Sequence, residues 1–418
     1  MTPEGSAPPV KCAVVDAYGA GRLLPAALCR YGVDYLHVRS QFPDTNLSYL
    51  PSDFTLEIQH HGDVRETAAE LRRHGVTTVA AAAESGVLLA NELSAALGTP
   101  GNGMRCPEAR RNKFAMHQAV RAAGLASAGS IESSSADAIL DWAAERGRWP
   151  VVLKPVASAG TDNVIFCDSA EAVAAAHAKI SASTDRYGRA NPTVLAQQFL
   201  VGEEHYVNTV SHEGVHQIIE VWHYCKRPVP GGRSINDFDD LLPRNDPGAR
   251  RVAGYALSVL DALEIRNGAA HTEVMLTDDG PVLVECGARL GGGQMPDALS
   301  RCVGTNQIDS LALSIARPGE FLRQARRPYR LLSHLRCVNL ISETDGVVPP
   351  AGGWAAVRAL GSFAGLLLSL PEGSPVPRTI DLATCPGAVY LTSDDPAIIE
   401  ADTERLRELD RTGLYTGV

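Results

Sequence analysis

The chain has 418 residues, of which 45% are hydrophobic and 21% charged. A chain of this length and composition can build two or three globular units with sizeable cores, which excludes a disordered or fibrous protein. The formal net charge of −10 argues against nucleic-acid binding. An anionic ligand would have to be held by a local group of cations and backbone N–H groups.

The cysteine pattern and the N-terminal segment bear on the cellular compartment. Nine cysteines are scattered singly, without a C-x-x-C pair, which is typical of a reducing cytoplasm. The start, MTPEGSAPPVK, lacks the basic and apolar runs of a signal peptide, and no later stretch has about eighteen consecutive apolar residues. We therefore expect a soluble cytoplasmic protein that does not contact a membrane.

The first hundred residues alternate strand-like apolar runs with helix-like periodic runs. This alternation is the βαβ pattern of a doubly wound parallel sheet, so we predict a Rossmann-like N-terminal domain over residues 1–105. The strand-like runs are KCAVVD, DYLHV and VTTVAAAA, and the helix-like runs are LLPAALCRYG, RETAAELRRHG and GVLLANELSAALG.

Two glycines, Gly19 and Gly21, follow the first predicted strand and could begin a dinucleotide fingerprint. The third glycine of that fingerprint would fall at Leu24. A nicotinamide-dependent oxidoreductase is therefore a disfavoured alternative, and we expect the glycines to serve a tight strand-to-helix turn.

The middle of the chain is predicted to form a two-lobed catalytic domain over residues 106–318. Its helical patterns cover roughly 107–123 and 135–145, and an apolar strand ends at Lys154-Pro155. Further strand patterns make the unit mixed or antiparallel. The segment from Lys226 to Asp246 lacks periodicity and is predicted to be a functional loop.

The remaining residues, 319–418, alternate short strands with turns and end in a polar helix from Pro396 to Asp410. They predict a C-terminal α+β subdomain. The fold class expected for the whole chain is therefore a multidomain mixture of α/β and α+β units.

The stretch AHTEVMLTDDGPVLVECGAR contains two β-rich runs around an Asp-Gly turn, which predicts a hairpin. If Leu276 faces Val282 across a five-residue loop, the same register places Glu273 opposite Glu285. Carboxylates about 5 Å apart repel unless a cation lies between them, and Mg²⁺ binds one or two carboxylates. The alternative is a pair of solvated glutamates, and a two-residue turn would slip the register and separate them.

Three cations and a glycine run accompany this hairpin. Arg289 lies four residues past Glu285 and is followed by three glycines, a combination that can stabilise charge on a transferring phosphoryl group. Lys113 lies on a predicted helix, and Lys154 ends an apolar strand before a loop of small residues. Neither segment matches the Walker A pattern, so a P-loop NTPase is disfavoured.

Taken in order, these pieces resemble the ATP-grasp superfamily, and more narrowly its L-amino-acid ligases. The matching stretch runs from about Pro107 to Asp297. The resemblance implies that ATP and Mg²⁺ are bound and that the metal ligands are Glu273 and Glu285. It also implies that Arg289 steadies an acyl phosphate.

The nucleotide contacts are likewise implied by the resemblance. Lys113 and Lys154 would contact the phosphates, and a loop of small residues that includes Ser158 and Gly160 would cover them. Gln197, Gln198 and Leu200 would face the adenine. Glu204 would bind the ribose hydroxyls.

Two positions depart from the family pattern. Gln197 stands where glutamate is common, but an amide oxygen can still accept from the adenine amino group. Gly287 stands where a third metal ligand, commonly asparagine, is found. Either water completes the metal shell or only one of two magnesium ions is held firmly.

The function implied by the resemblance is ATP-dependent joining of a carboxylic acid to an amine through an acyl phosphate, with release of ADP and phosphate. The substrates would be small molecules such as amino acids, and the product a dipeptide-type amide. Lys226, Arg233 and His271 are candidate substrate anchors, and similar ligases suggest a homodimer. Alternatives are a carboxylase or nucleotide-pathway ligase of the same superfamily, and a non-catalytic nucleotide-binding module.

Overall fold

The computed structural model describes residues 10–41, 51–157, 163–185, 188–229 and 233–415. Among these residues, no helix has both the length and the apolar character that crossing a bilayer requires. The predicted fold class is confirmed, with a parallel sheet at the N-terminus and antiparallel sheets after it.

The N-terminal unit is a four-stranded parallel sheet in the order β3-β2-β1-β4. The apolar side chains of β1, one of the two inner strands, are fully buried, as expected for a parallel sheet with helices on its faces. Gly19 adopts a left-handed φ of 57° at the turn after β1, and a Cβ on Gly21 would lie 2.7 Å from Ala82. The elements are β1 (Lys11–Val15), α1 (Leu24–Arg30), β2 (Asp34–Arg39), β3 (Glu57–Gln59), α2 (Val64–Arg73), β4 (Thr78–Ala81) and α3 (Val87–Leu97).

A small antiparallel sheet follows, in the order β5-β8-β6-β7. Two amphipathic helices pack on it and bury a core around Ile139, Leu153 and Ile180. Each helix of this unit begins at an Asn or Ser whose side chain caps the first turn. The elements are α4 (Lys113–Ala122), β5 (Ser130–Ser133), α5 (Ala136–Arg146), β6 (Val151–Pro155), β7 (Ile165–Cys167), α6 (Ala170–Ser181) and β8 (Val194–Gln198).

The largest sheet of the described residues has eight antiparallel strands, in the order β13-β12-β9-β10-β11-β14-β18-β16. The long helix α7 buries Val252, Ala256 and Val259 in the same core as Val207 of β9 and Val274 of β12. The elements up to the end of the acidic hairpin are β9 (Glu203–His212), β10 (Val215–Val229), β11 (Arg233–Leu241), α7 (Pro247–Ala262), β12 (Gly268–Thr277) and β13 (Gly280–Gly287).

The C-terminal part supplies three strands to this same sheet, so the sheet continues across the predicted boundary at residue 318. The division into 1–105, 106–318 and 319–418 stays a prediction. The elements are α8 (Pro296–Val303), α9 (Gln307–Ala316), α10 (Pro318–Ala325), β14 (His334–Asn339), β15 (Gly346–Val347), α11 (Ala355–Arg358), β16 (Phe363–Leu368), β17 (Pro375–Val376), β18 (Gly387–Ser393) and α12 (Pro396–Thr412).

The segment from Lys226 to Asp246 is mostly strand, so the loop prediction was wrong there. β10 and β11 pair as a hairpin, with Lys226 opposite Asn236. Polar residues lie on both faces of this hairpin, and the apolar alternation that marks a strand in sequence is missing. The strand pairing is decided by neighbouring strands rather than by the local pattern.

Candidate active site

The acidic hairpin of β12 and β13 places Glu273 directly opposite Glu285. The register near the turn differs from the prediction, because Leu276 pairs with Pro281 and the turn holds two residues. A bulge next to Glu273 inserts one extra residue into β13 and restores the pairing of the two glutamates. The predicted loop length was therefore wrong, while the predicted glutamate pair is present.

Lys113 meets the acidic pair from α4. Its Nζ lies 2.8 Å from Glu285 Oε1, and the lysine side chain is 6% exposed. The backbone N–H of Lys113 donates to the carbonyl of Val156, which anchors the start of α4 to the end of β6. The same anchor brings Lys113 close to Lys154, so both predicted lysines belong to one cluster with the hairpin.

Lys154 is buried at the end of β6. Burial, and then the neighbouring charge of Lys113, lower its pKa to about 8, although Glu285 and Glu273 act in the opposite direction. Among the described residues Lys154 has no ion-pair partner. A desolvated cation of this kind attracts a phosphate group strongly.

A buried polar chain runs from Glu273 into the sheet. His271 Nε2 lies 3.3 Å from Glu273 Oε1, and His271 Nδ1 lies 2.7 Å from Asn208 Oδ1. The Asn208 amide in turn donates to Glu220 over 2.5 Å. Burial would raise the pKa of Glu273, but His271 and Arg289 lower it, so the carboxylate is held charged.

Arg289 is held by a residue that the sequence interpretation missed. Its Nε lies 3.0 Å from Glu84 Oε2, and Arg111 Nη1 lies 2.7 Å from Glu84 Oε1. Burial alone would raise the pKa of Glu84, but the two arginines outweigh burial and lower it to about 2. Glu84 comes just after β4, at the carboxyl end of a parallel strand, where ligand-binding residues are expected.

Gly287 stands at the position where the family commonly has a third metal ligand. Its lack of a side chain leaves room for the ion pair of Glu84 with Arg289. A Cβ at Gly287 would lie 3.1 Å from Glu84 Oε2 and 3.2 Å from Arg289 Cζ. Gly291 is similarly crowded, since a Cβ there would lie 2.9 Å from Asn208 Oδ1. The absence of a side chain at Gly287 and Gly291 therefore lets the backbone lie close to the Arg289 guanidinium and to Asn208.

The predicted adenine hinge, residues 196–204, begins at the end of β8. Gln197 is buried, and its amide nitrogen donates to His117 Nε2 over 2.7 Å. Burial and the nearby lysines lower the pKa of His117 to about 3, so the ring is neutral and can accept this bond. With the amide nitrogen engaged, the oxygen of Gln197 is the group left for an adenine amino group.

His117 was not singled out from the sequence, although it lies four residues after Lys113 and therefore on the same helix face. Gln198 and Leu200 are half-buried at the end of β8, and the backbone N–H of Gln198 donates to the Gly129 carbonyl. These positions lie along one hinge segment between the small sheet and β9.

Glu204, on β9, is opposite Met275 and on the same sheet face as Glu273. Lys226, one of the candidate substrate anchors, contacts its carboxylate. Burial raises the pKa of Glu204, and Lys226 opposes that rise. Ser158 and Gly160, predicted to cover the phosphates, lie outside the described residues.

A model of the ATP-grasp domain matches residues 147–297, which include the hinge and the acidic hairpin. Dapdiamide A synthase from Enterobacter agglomerans is 33% identical over 415 residues, 97% of each chain. The chain belongs to the ATP-grasp ligases. It is an ATP-dependent carboxylate-amine ligase that forms an amide bond and releases ADP.

Two further matches are consistent with this membership. An L-arginine-specific L-amino acid ligase from Bacillus subtilis is 25% identical over 211 residues, 50% of this ATP-grasp ligase and 50% of the relative. The crystal structure of an L-amino acid ligase from Bacillus licheniformis superposes with a TM-score of 0.74 at 18% identity, covering 96% of this chain and 98% of the other. The second match shows the shared fold.

Proposed function

We propose that this ATP-grasp ligase binds ATP between the small sheet and the acidic hairpin and joins two amino acids. The observation that carries the proposal is the pairing of Glu273 with Glu285 beside Lys113 and Lys154. Two carboxylates and two ammonium groups from four separate elements converge there, and the transfer of a phosphoryl group requires such charges.

The donor set fits Mg²⁺. Glu273 and Glu285 supply two carboxylates on one sheet face, 27% and 24% exposed, and each is bonded to a nitrogen of a neighbouring side chain. Two carboxylates are the usual protein contribution to a magnesium site that also takes phosphate oxygens and water. Bound there, Mg²⁺ would offset the negative charge of the terminal phosphates.

The nucleotide is held, in this proposal, by residues of the small sheet and of the acidic hairpin's sheet. Gln197, fixed by His117, presents its amide oxygen to the adenine, with Gln198 and Leu200 along the same hinge. Glu204 accepts from the ribose hydroxyls when Lys226 moves aside. Lys113 and Lys154 contact the phosphates, and the expected contacts of Ser158 and Gly160 stay predictions.

The chemistry then needs mainly positioning and charge stabilisation. A substrate carboxylate attacks the γ-phosphorus of ATP, the bond to the β-phosphate oxygen breaks, and ADP leaves. An amine attacks the carbonyl carbon of the resulting acyl phosphate, phosphate leaves, and a proton is released. Arg289 stabilises the charge of the acyl phosphate when it exchanges its contact with Glu84 for that anion.

The choice of amino acids as substrates is supported by the names of the relatives, one of which is an L-arginine-specific L-amino acid ligase. His271 lies beside Glu273 on the same face, where it can orient a substrate or a metal ligand. The expected homodimer and the cytoplasmic location stay predictions.

The test is an assay of phosphate release with ATP, Mg²⁺ and pairs of amino acids, with products identified by mass spectrometry. We expect release that depends on both amino acids, and a loss of at least about a hundredfold in Glu285→Gln. Asp279→Asn, on the exposed turn of the same hairpin, is the matched control and should keep full activity. Release that needs bicarbonate instead, or nucleotide binding without any amine-dependent release, would overturn the proposal.

A further inference from the structure

A second group of metal-binding side chains lies on the large sheet, away from the acidic pair. His205 of β9 is directly opposite His223 of β10, and their ring centroids are 4.9 Å apart. Side chains two residues apart along a strand share a face. Glu203 and Cys225 therefore lie on the same face as the two histidines, and Glu204 points to the opposite face.

The spacing of these donors suits a single ion. One ligand atom from each of Glu203, His205 and His223 lies within 4.8 Å of the others. Cys225 Sγ is 3.5 Å from His223 Nδ1. In a tetrahedral zinc shell, bonds of about 2.0 and 2.3 Å place a nitrogen and a sulfur about 3.5 Å apart. The histidine and the cysteine already have this separation, and small side-chain rotations bring in the other two donors.

The hydrogen bonding of His205 also favours a metal. Its Nδ1 donates to the backbone carbonyl of Glu203 over 3.1 Å, which leaves the Nε2 lone pair for an ion. A histidine whose second nitrogen donates to a carbonyl is the usual arrangement in protein metal sites.

The surrounding charge is suitable for a cation. Asp246, the cap of α7, lies near His205, and Asp240 lies near Cys225, although Asp240 is also paired with Arg336. A bound divalent ion displaces the thiol proton of Cys225 and takes the thiolate as a ligand.

We propose that Glu203, His205, His223 and Cys225 bind one zinc ion. Two nitrogens, one sulfur and one carboxylate oxygen are a zinc donor set, whereas magnesium takes oxygen ligands. The ion ties β9 to β10 directly behind Glu204, on the sheet face opposite to the acidic pair. The site is independent of the proposed nucleotide contacts, since none of its four ligands belongs to them.

The test uses the full chain without a polyhistidine tag, with Co²⁺ as a spectroscopic probe and Zn²⁺ as the competitor. We expect one Co²⁺ per chain, the intense visible bands of a tetrahedral site, and a sulfur-to-cobalt charge-transfer band that Zn²⁺ abolishes. His223→Ala should weaken binding at least about a hundredfold, since even outer-shell changes cost about 10- to 100-fold.

Two further variants keep the result interpretable. Cys225→Ser should remove the charge-transfer band while weaker visible bands remain, and this readout stands even if His223→Ala fails to fold. His61→Ala removes an exposed histidine of the N-terminal unit and should leave the spectrum unchanged. Weak octahedral bands, or bands that disappear only in Glu273→Gln, would place the metal elsewhere and overturn the proposal.

Discussion

Buried carboxylates are held in two different ways in this ATP-grasp ligase. Glu84 of the N-terminal unit is 9% exposed, and each of its two oxygens is paired with a different arginine. Glu273 and Glu285 of the hairpin are about a quarter exposed, and among the described residues each contacts a side-chain nitrogen through a single oxygen. Glu84 is thus saturated with partners, whereas the hairpin carboxylates keep oxygens that can take a further ligand.

This difference distinguishes Glu84, which positions two arginines, from Glu273 and Glu285, which are candidate metal ligands. A carboxylate with both oxygens engaged by arginines fixes those arginines but cannot bind an ion without losing them. A partly exposed carboxylate with a remaining lone-pair site can bind a metal at little structural cost. We therefore expect changes at the hairpin to act on activity and changes at Glu84 to act on stability.

The largest expected effect is on turnover at the hairpin. Glu273→Gln should lower kcat by about a hundred- to a thousandfold, about 3 to 4 kcal/mol, because a neutral amide would hold the proposed Mg²⁺ and the ATP phosphates poorly. The free energy of unfolding should change by less than about 1 kcal/mol. Initial rates at saturating ATP, together with urea denaturation, measure both. A stability loss as large as the activity loss would contradict the comparison.

The next effect is on stability at the N-terminal unit. Glu84→Gln should lower the free energy of unfolding by about 3 kcal/mol, since a neutral amide replaces the carboxylate that pairs with two arginines, one of them buried. Urea denaturation should show a lower midpoint with an unchanged slope. Glu92→Gln, on the exposed side of α3, is the control and should stay within about 0.5 kcal/mol of the wild type.

A smaller effect is the pH dependence of the same ion pairs. The folded-state pKa of Glu84 is about 2, below the ordinary value of 4.5, so its stabilisation is complete above that ordinary value and is lost as pH falls towards 2. Between about pH 5 and 3.5 the loss amounts to about 1 kcal/mol. The stability difference between wild type and Glu84→Gln should shrink by that amount, and parallel pH curves would argue against the assignment.

The smallest effect is expected at Gly287, which lies beside the ion pair of Glu84 with Arg289. Gly287→Ala places a methyl group against Glu84 and Arg289, so we expect a loss of about 1 kcal/mol in stability and a severalfold fall in kcat as Arg289 shifts. Gly292→Ala is the matched control, because no atom lies within 4 Å of the added Cβ. Equal activity in the two variants would show that Arg289 tolerates the displacement.

The sequence by itself determined the fold class and most of the elements. Hydrophobic periodicity is a local property, so the βαβ pattern and the helices that carry Lys113 and the C-terminal polar run could be located without neighbours. The acidic hairpin could also be placed from its turn and alternation. The ordered set from Lys113 to Arg289 indicated the family because its members have recognisable spacing.

Only the tertiary structure decided how these pieces meet. The bulge beside Glu273 compensates for a turn that is shorter than predicted, and such a bulge depends on pairing with a neighbouring strand. Glu84 meets Arg289 from 205 positions away in the chain, a contact that no local pattern encodes. β10 and β11 replace the predicted loop because strand partners, rather than their own polar sequence, stabilise them. Side-chain pairing across distant segments depends on burial and geometry, and these exist only once the chain is folded.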